Sequence, residues 1–305
     1  MDRRFDLIII GAGPGGLTAA LYATRAGLKT AIIEKAVAGG KLNKTYEISN
    51  WPGIDNISGM ELAKQMQTHA LSYGAQHLYG DVIKVEDGEI KRVFTETGES
   101  YEAKAVILAT GTVERMLNIP GEKELIGRGV SYCAICDGNF FRNKVVTVVG
   151  GGNSALEEAI YLGGLAAKVY IVIRRDEFRA DEVIVKEILS SSKFEVIYEH
   201  IPVSLKGESG KLESIVLENV KTKEVREIKS DGLFPYIGAD PVSDAIKQIG
   251  VCNEAGYVEV NQDMETKCSG LYAIGDVTNK TLRQVVTAAA DGAIAAQAIF
   301  RYLKG

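Results

Sequence analysis

Two stretches of this chain repeat one design, and the repeat narrows the possible folds more than any other feature. Residues 5–34 read FDLIIIGAGPGGLTAALYATRAGLKTAIIE, and residues 144–175 read KVVTVVGGGNSALEEAIYLGGLAAKVYIVIRR. Each runs from a continuously apolar, β-branched strand through a glycine turn into an Ala/Leu-rich helix, then into a second apolar strand. A strand with no polar alternation belongs in a parallel sheet buried on both faces, and the following helix covers one of them. Each stretch is therefore a βαβ unit. After each comes a segment of period-two alternation broken by turn residues. These are DVIKVEDGEIKRVFTETGESYEAKAVILATG at 81–111 and VSLKGESGKLESIVLENVKTKEVREIKSDGLFPYIG at 203–238. Both read as antiparallel meanders leading to a strand that ends in glycine.

The last piece, GLYAIGDV at 270–277 followed by RQVVTAAADGAIAAQAIFRYL, is a strand, a loop and a long alanine-rich helix in need of a sheet. The first unit lacks a closing strand and helix, so the C-terminal piece belongs there and the second unit is an insertion. With 305 residues, 46% of them hydrophobic, the chain is long enough for two domains of about 100–200 residues each. The expected fold is α/β, with two Rossmann-like dinucleotide-binding domains, the second inserted into the first, each with a β-meander. Residues 1–112 and 241–305 form the first domain and 113–240 the second. The crossings near Gly111 to Arg115 and Gly238 to Pro241 would act as a double hinge.

Charge and cysteine usage exclude several classes. The formal net charge is −5 without a run of Lys or Arg, which argues against a nucleic-acid partner. No apolar stretch reaches membrane-spanning length, and MDRRFDLIIIGAG is not a signal peptide, so no membrane association is expected. Four cysteines are too few for a secreted disulfide framework, and a reducing cytoplasm is the expected compartment.

Gly11-Ala12-Gly13-Pro14-Gly15-Gly16 satisfies GxGxxG between a strand and a helix. The first glycine makes the turn, the second admits a pyrophosphate, and the third seats the helix, whose N-terminal amides face the phosphates. Glu34 closes the second strand where a carboxylate would accept a ribose 2′-hydroxyl; a solvated surface glutamate is the plain alternative. Gly150-Gly151-Gly152-Asn153-Ser154-Ala155 is the GxGxxA form of the same motif. At the end of its second strand Arg174 and Arg175 replace the acid, and Arg179 follows. An anionic 2′-phosphate would be welcome there, which points to NADPH. Alternatively Asp176 and Glu177 could pair with these arginines in a solvated turn.

Residues 131–141, SYCAICDGNFF, place Cys133 and Cys136 three apart. On one helical turn their Cβ atoms lie roughly 5–6 Å apart, near what a disulfide tolerates, so a small adjustment could open or close a bridge. Zinc would need four ligands, whereas Cys252 and Cys268 form no CxxC and His69, His77 and His200 are scattered. Asp137 could exchange protons with the dithiol, or merely cap the following turn. Disulfides are poor direct hydride acceptors, so a flavin between the nucleotide and the cysteines makes chemical sense, and the first site is assigned to FAD.

Taken together, GAGPGG, EISNWPG, SYCAICDG, GGGNSA, RRDEFR and AIGDV with RQVVTAAADG closely resemble the bacterial-type, low-molecular-weight thioredoxin reductases, over essentially the whole chain. The resemblance implies an NADPH-dependent FAD flavoprotein, a homodimer, acting on thioredoxin or a thioredoxin-like protein. It implies that the Cys136 thiolate faces the flavin, that Cys133 attacks the thioredoxin disulfide, that Asp137 handles the proton, and that the nucleotide domain rotates between two states. By the same resemblance the FAD contacts are Gly11, Gly13, Pro14, Gly15, Gly16, Glu34, Lys35, Gly39, Gly40, Lys41, Leu42, Asn50, Val82, Gly111, Gly275, Asp276, Arg283, Gln284 and Val285. The NADPH contacts are Gly150, Gly152, Asn153, Ser154, Ala155, Arg174, Arg175 and Arg179. Three positions depart from the family pattern. Lys41 stands for a glutamine, Ile173 for a histidine before the two arginines, and Ala239 for a histidine after PYIG. Competing readings are a related flavin disulfide reductase serving a glutaredoxin-like protein or a peroxiredoxin, and a nucleotide-binding redox sensor.

Overall fold

A computed structural model describes residues 3–44, 48, 50–207 and 209–304. The chain begins with β1 (Arg4–Ile10), α1 (Pro14–Arg25) and β2 (Thr30–Glu34), with β1 and β2 parallel and Ile8 opposite Ala31. A 3-10 turn at Gly40–Lys44 leads to α2 (Gly59–Ser72), whose N-terminus is capped by the Ser58 hydroxyl accepting the Glu61 N–H at 3.2 Å. β3 (Gln76–Tyr79) then adds a parallel edge strand to β2.

The meander follows as β4 (Val82–Glu86), β5 (Lys91–Thr95) and β6 (Ser100–Leu108). β6 serves two kinds of pairing along its length. Its early residues are antiparallel to β5, with Ser100 opposite Phe94, and its later ones are parallel to β1, with Ala105 opposite Leu7 and Leu108 opposite Ile10.

β7 (Thr112–Glu114) carries the chain into its second unit. There the order is α3 (Ala134–Asp137), β8 (Val145–Val149), α4 (Asn153–Gly163), β9 (Lys168–Val172), α5 (Glu182–Ser190) and β10 (Phe194–Ile197). An antiparallel meander of β11 (His200–Lys206), β12 (Ser214–Asn219) and β13 (Val225–Lys229) comes next, then β14 (Gly232–Pro235). β14 completes a four-stranded parallel sheet of order β10-β9-β8-β14. The chain leaves through β15 (Ala239–Pro241), which pairs with β7. It ends with β16 (Leu271–Ala273), parallel to β6 with Leu271 opposite Val106, and α6 (Val285–Lys304). The two compact units are Met1–Val113 with Asp240–Gly305, and Glu114–Ala239. Among the described residues no helix is long and apolar enough to cross a membrane.

The continuous apolarity of β1 has a direct cause. Leu7 and Ile9 are buried with Leu17 and Ala20 of α1 and Ala295 and Ile299 of α6, while Ile8 and Ile10 are buried with Val85, Val93 and Val258 on the opposite face. Neither face meets water, so the ordinary period-two alternation is absent. In β8, likewise, Val146 and Val148 pack with Leu156 and Leu162 of α4, and Val149 packs with Ile215 and Leu217 of the meander. Its one polar residue, Thr147, is fully buried and donates to the Ser230 hydroxyl at 2.9 Å, which in turn donates to the Gly232 carbonyl at 2.8 Å.

α1 and α6 meet through small residues. A Cβ on Gly292 would lie 2.3 Å from the Gly15 carbonyl oxygen, and one on Gly15 would lie 3.0 Å from that of Ala288. Such a backbone contact cannot be relieved by turning a side chain. Gly292→Val should therefore cost on the order of 3 kcal/mol and lower the thermal midpoint, whereas Gln297→Val on the exposed side of α6 should leave it nearly unchanged. Thermal unfolding of the two variants checks this.

Candidate functional site

The first glycine turn divides its duties among its glycines. Gly11 has φ +105°, and a Cβ there would lie 2.5 Å from the Ala109 carbonyl oxygen; one on Gly16 would lie 2.0 Å from the Gly11 carbonyl oxygen. Both glycines are required by the protein's own backbone. A Cβ on Gly13 would meet nothing within 4 Å, so the middle glycine keeps space open above the turn. α1 starts at Pro14 with no side-chain cap, leaving its first amides to an outside acceptor. Those features fit a pyrophosphate.

Glu34 is held by both oxygens, one of them on this turn. Oε2 accepts the Ala12 N–H at 2.8 Å and Oε1 the Ala36 N–H at 2.9 Å. Each oxygen retains lone-pair capacity, so the carboxylate is oriented and can still accept a sugar hydroxyl. The Gly39–Leu42 segment is held against the same turn, with the Gly39 N–H donating to the Ala12 carbonyl at 2.7 Å. A Cβ on Gly40 would lie 3.3 Å from the Gly13 Cα. Leu42 points inward and is buried with Ile48, Leu62 and Ala63. Lys35 is exposed and pairs with Asp81 at 3.2 Å, and Val82 opens β4 opposite Thr95.

Residues far apart in sequence converge in this unit. The Lys41 ammonium donates to the Thr112 hydroxyl at 2.7 Å and stands 3.9 Å from the Asp276 carboxylate. Asn50 donates to the Gln284 side-chain carbonyl at 3.0 Å. Arg283 stacks its guanidinium over Tyr257 at 4.7 Å and reaches the Asp276 carbonyl at 3.5 Å. Gly275 has φ +71° and donates its N–H to Asp291 at 2.8 Å, while Val285 begins α6 against the cluster around Leu42. Gly111, with φ +68°, accepts the Val242 N–H at 3.0 Å. Glu47 and Ser49 of EISNWPG lie outside the described residues.

In the second unit, Gly150 has φ +143° and a Cβ there would lie 2.3 Å from the Tyr236 carbonyl oxygen, while one on Gly152 would meet nothing within 4 Å. α4 also starts without a side-chain cap, with Ser154 exposed and Ala155 buried in its first turn. Asn153 takes a scaffolding part. Its Oδ1 accepts the Asp181 N–H at 2.8 Å, its Nδ2 donates to the Asp181 carboxylate at 2.9 Å, and nearby the Arg179 N–H donates to the Gly151 carbonyl at 2.7 Å. The Arg179 segment is thereby clamped beside the glycine turn. Arg174, Arg175 and Arg179 are exposed, and among the described residues none of them makes an ion pair. The turn is not one in which Asp176 and Glu177 neutralise the arginines. Ile173 is 3% exposed and packs in the core, so this position offers no polar group to a phosphate.

The cysteine turn is a single helical turn. The Asp137 N–H donates to the Cys133 carbonyl at 3.1 Å, and the Ser131 hydroxyl accepts the Cys133 N–H at 3.1 Å. The Ala134 N–H donates to the Tyr236 hydroxyl at 2.8 Å. Cys133 is half-buried and disulfide-bonded, Cys252 and Cys268 are free thiols, and the side chain of Cys136 lies outside the described residues. The Asp137 side chain does not cap the 3-10 turn at Gly138–Phe141, so the plain alternative to a proton-handling role is not realised.

Glu158 was not among the residues singled out from sequence. It follows Glu157 on α4, but sits three after the buried Ala155 and four before the buried Leu162, on the inward stripe. Its Oε2 is buried without a hydrogen-bond partner, and burial, reinforced by Glu157, pushes the carboxyl up from 4.5 to about 7. A helical wheel would have shown the charge on the wrong face.

Between pH 4.5 and about 7 the folded chain keeps a proton that the unfolded chain releases. The stability tied to this group is present below that window and is lost as pH rises through it, by up to about 3 kcal/mol. Glu158→Gln, which cannot ionise, should therefore gain in thermal midpoint relative to the parent between pH 5 and pH 8. Thermal unfolding at both pH values checks it.

The family model for the pyridine nucleotide-disulphide oxidoreductases matches residues 5–292. The chain belongs to that family, whose members use a flavin and a pyridine nucleotide. The relatives it resembles include thioredoxin reductases. That of Bacillus subtilis (strain 168) is 45% identical over 303 residues, 99% of this chain and 96% of the relative, and that of Listeria monocytogenes is 41% identical over 99% and 95%. Among solved structures, Lactococcus lactis thioredoxin reductase in the FR conformation superposes with a TM-score of 0.87 at 43% identity, covering 98% of this chain and 99% of that one. T. acidophilum thioredoxin reductase gives 0.85 at 34% identity, covering 100% of both chains.

Proposed function

We propose that this protein is a thioredoxin reductase that takes hydride from NADPH, holds FAD, and reduces the disulfide of thioredoxin through Cys133 and Cys136. The observation that carries the reading is the disulfide-bonded Cys133 immediately before a one-turn helix whose first residue, Ala134, is tied to Tyr236, the residue that abuts Gly150 of the second glycine turn. Dithiol chemistry and a nucleotide-type turn are thus built against one another within one unit.

The unit of Met1–Val113 with Asp240–Gly305 would hold FAD. The amides at the start of α1 meet its pyrophosphate, Glu34 its ribose, and Asn50, Asp276, Arg283 and Gln284 lie among the residues that would orient the rest. Bound FAD supplies a two-electron relay between a reduced nicotinamide and a disulfide. In the unit of Glu114–Ala239 the amides at the start of α4 would meet the NADPH pyrophosphate. Arg174, Arg175 and Arg179, without an ion pair among the described residues, would meet the 2′-phosphate.

Opening the Cys133–Cys136 bridge takes two electrons and, for two thiols, two protons. The Cys133 thiolate then attacks one sulfur of the thioredoxin disulfide, giving a mixed disulfide, and the Cys136 thiolate displaces reduced thioredoxin and restores the bridge. Asp137, adjacent to Cys136, holds and returns the proton exchanged at the sulfurs. A homodimer in a reducing cytoplasm completes the proposal.

Cys136→Ser should retain bound flavin and its reduction by NADPH but lose thioredoxin-dependent turnover, because only the thiol relay is cut. Steady-state assays with thioredoxin beside anaerobic flavin reduction check it, and full thioredoxin activity in the variant would refute the relay. Replacing Arg174, Arg175 and Arg179 together by Ala should raise KM for NADPH far more than for NADH, since only the 2′-phosphate distinguishes the two nucleotides. An equal loss for both would mean damage to the unit as a whole.

A further inference from the structure

Between β16 and α6 the chain runs through residues 274–284, a stretch that carries Asp276, Arg283 and Gln284, all proposed above to orient FAD. Its early part is held by backbone. The Ile274 N–H donates to the Leu108 carbonyl at 3.0 Å, the Val258 N–H to the Val277 carbonyl at 2.9 Å, and the Asn279 N–H to the Val258 carbonyl at 3.0 Å. At Lys280, the next residue, a buried charge joins the anchoring.

The Lys280 ammonium donates to Oδ2 of Asp291 on α6, and the two side chains are only 18% and 11% exposed. The same oxygen accepts the Gly275 N–H at 2.8 Å. Gly275 has φ +71° and immediately precedes Asp276. One carboxylate oxygen therefore holds the chain on both sides of the Asp276 turn. α6 is itself fixed at this point, since a Cβ on Gly292, the residue after Asp291, would lie 2.3 Å from the Gly15 carbonyl oxygen at the start of α1. The Asp291 carboxylate links the turn that carries Asp276 to the helix packed on the first glycine turn.

A buried ion pair is costly to desolvate, and apolar side chains of similar volume often stabilise a fold as well or better. What an ion pair adds is direction, because its charges must meet at one place. Here the parts that depend on that direction are close at hand. The Asp276 carboxylate stands 3.9 Å from the Lys41 ammonium, and the Asp276 carbonyl lies 3.5 Å from the Arg283 guanidinium. A displaced turn would carry both groups with it.

We infer that Lys280 and Asp291 are positioning residues for the flavin site, a buried ion pair that fixes the Gly275–Val277 turn so that Asp276 meets the cofactor in the right place. The inference rests on the FAD reading proposed above. It gives the pair an effect on how tightly FAD is held that passes through Asp276 and not through the unit as a whole.

The test is release of FAD from the flavin-loaded full chain, followed on dilution by the rise in flavin fluorescence. Lys280→Met should raise the dissociation constant about tenfold, the worth of one well-placed charge-assisted hydrogen bond. Asp276→Ala should weaken FAD as well. The two together should weaken it by much less than the product of their separate effects, because a misplaced Asp276 has little left to lose. Glu34→Gln alters the proposed ribose contact elsewhere in the unit, and its effect should multiply with that of Lys280→Met. Lys280→Arg keeps the charge and should hold FAD within about threefold of the parent.

An unchanged dissociation constant in Lys280→Met, effects that multiply between Lys280→Met and Asp276→Ala, or a Lys280→Arg protein as weak as Lys280→Met would each overturn the inference. Should Lys280→Met fail to fold, Asp291→Asn, which keeps an acceptor for Gly275 and removes the charge, takes its place in the same cycle with the same expectations. A parent protein that holds no FAD would overturn the flavin reading, and this inference with it. Tight FAD in the parent with multiplying effects overturns only the role of the ion pair.

Discussion

At both strand-to-helix turns the backbone passes so near a second strand that a side chain cannot be accommodated. At Gly11 the obstacle is the Ala109 carbonyl at the end of β6, and at Gly150 it is the Tyr236 carbonyl just beyond β14. This close approach brings each helix N-terminus up to the carboxyl ends of its parallel strands with its first amides uncapped. An anionic ligand is the natural partner for such an end. The other site residues are arranged around these turns. Glu34 is tied to the first by the Ala12 N–H, and the Arg179 segment is clamped to the second by Gly151 and Asn153.

Much of this was legible in the sequence because the signals were strong and local. β1 and β8 read as buried parallel strands since both of their faces are covered, and the final strand could be placed because the first sheet lacked one. Weaker signals were passed over. β3, with the sequence QHLY, is a four-residue edge strand that is mostly exposed, and α2 is a polar-faced helix with only Gly59, Leu62, Ala63 and Ala70 buried. Neither carries the continuous apolar run that marks β1.

The site shows the same division. The glycines, Glu34 and the arginine cluster announce themselves by type and spacing. Whether the arginines were paired could not be decided from RRDEFR, because adjacent charges in sequence need not meet in space. Asn153, expected to contact a nucleotide, spends both side-chain groups on Asp181. Glu158 escaped notice because an acid inside a helical sequence ordinarily reads as a solvated face. Of the positions that depart from the family pattern, Ile173 is a core residue, so the proposed phosphate recognition rests on the arginines. Lys41 places a cation between Thr112 and Asp276, among the residues proposed to orient the flavin.

The account depends on electrons reaching thioredoxin from a pyridine nucleotide by way of a bound flavin and a cysteine pair. Anaerobic titration of the purified protein followed by its visible absorbance tests that route most directly. A yellow protein whose flavin band bleaches with NADPH and returns on addition of oxidised thioredoxin is the predicted result. A colourless protein that binds no added FAD, or a bleached one that thioredoxin fails to reoxidise, would contradict it.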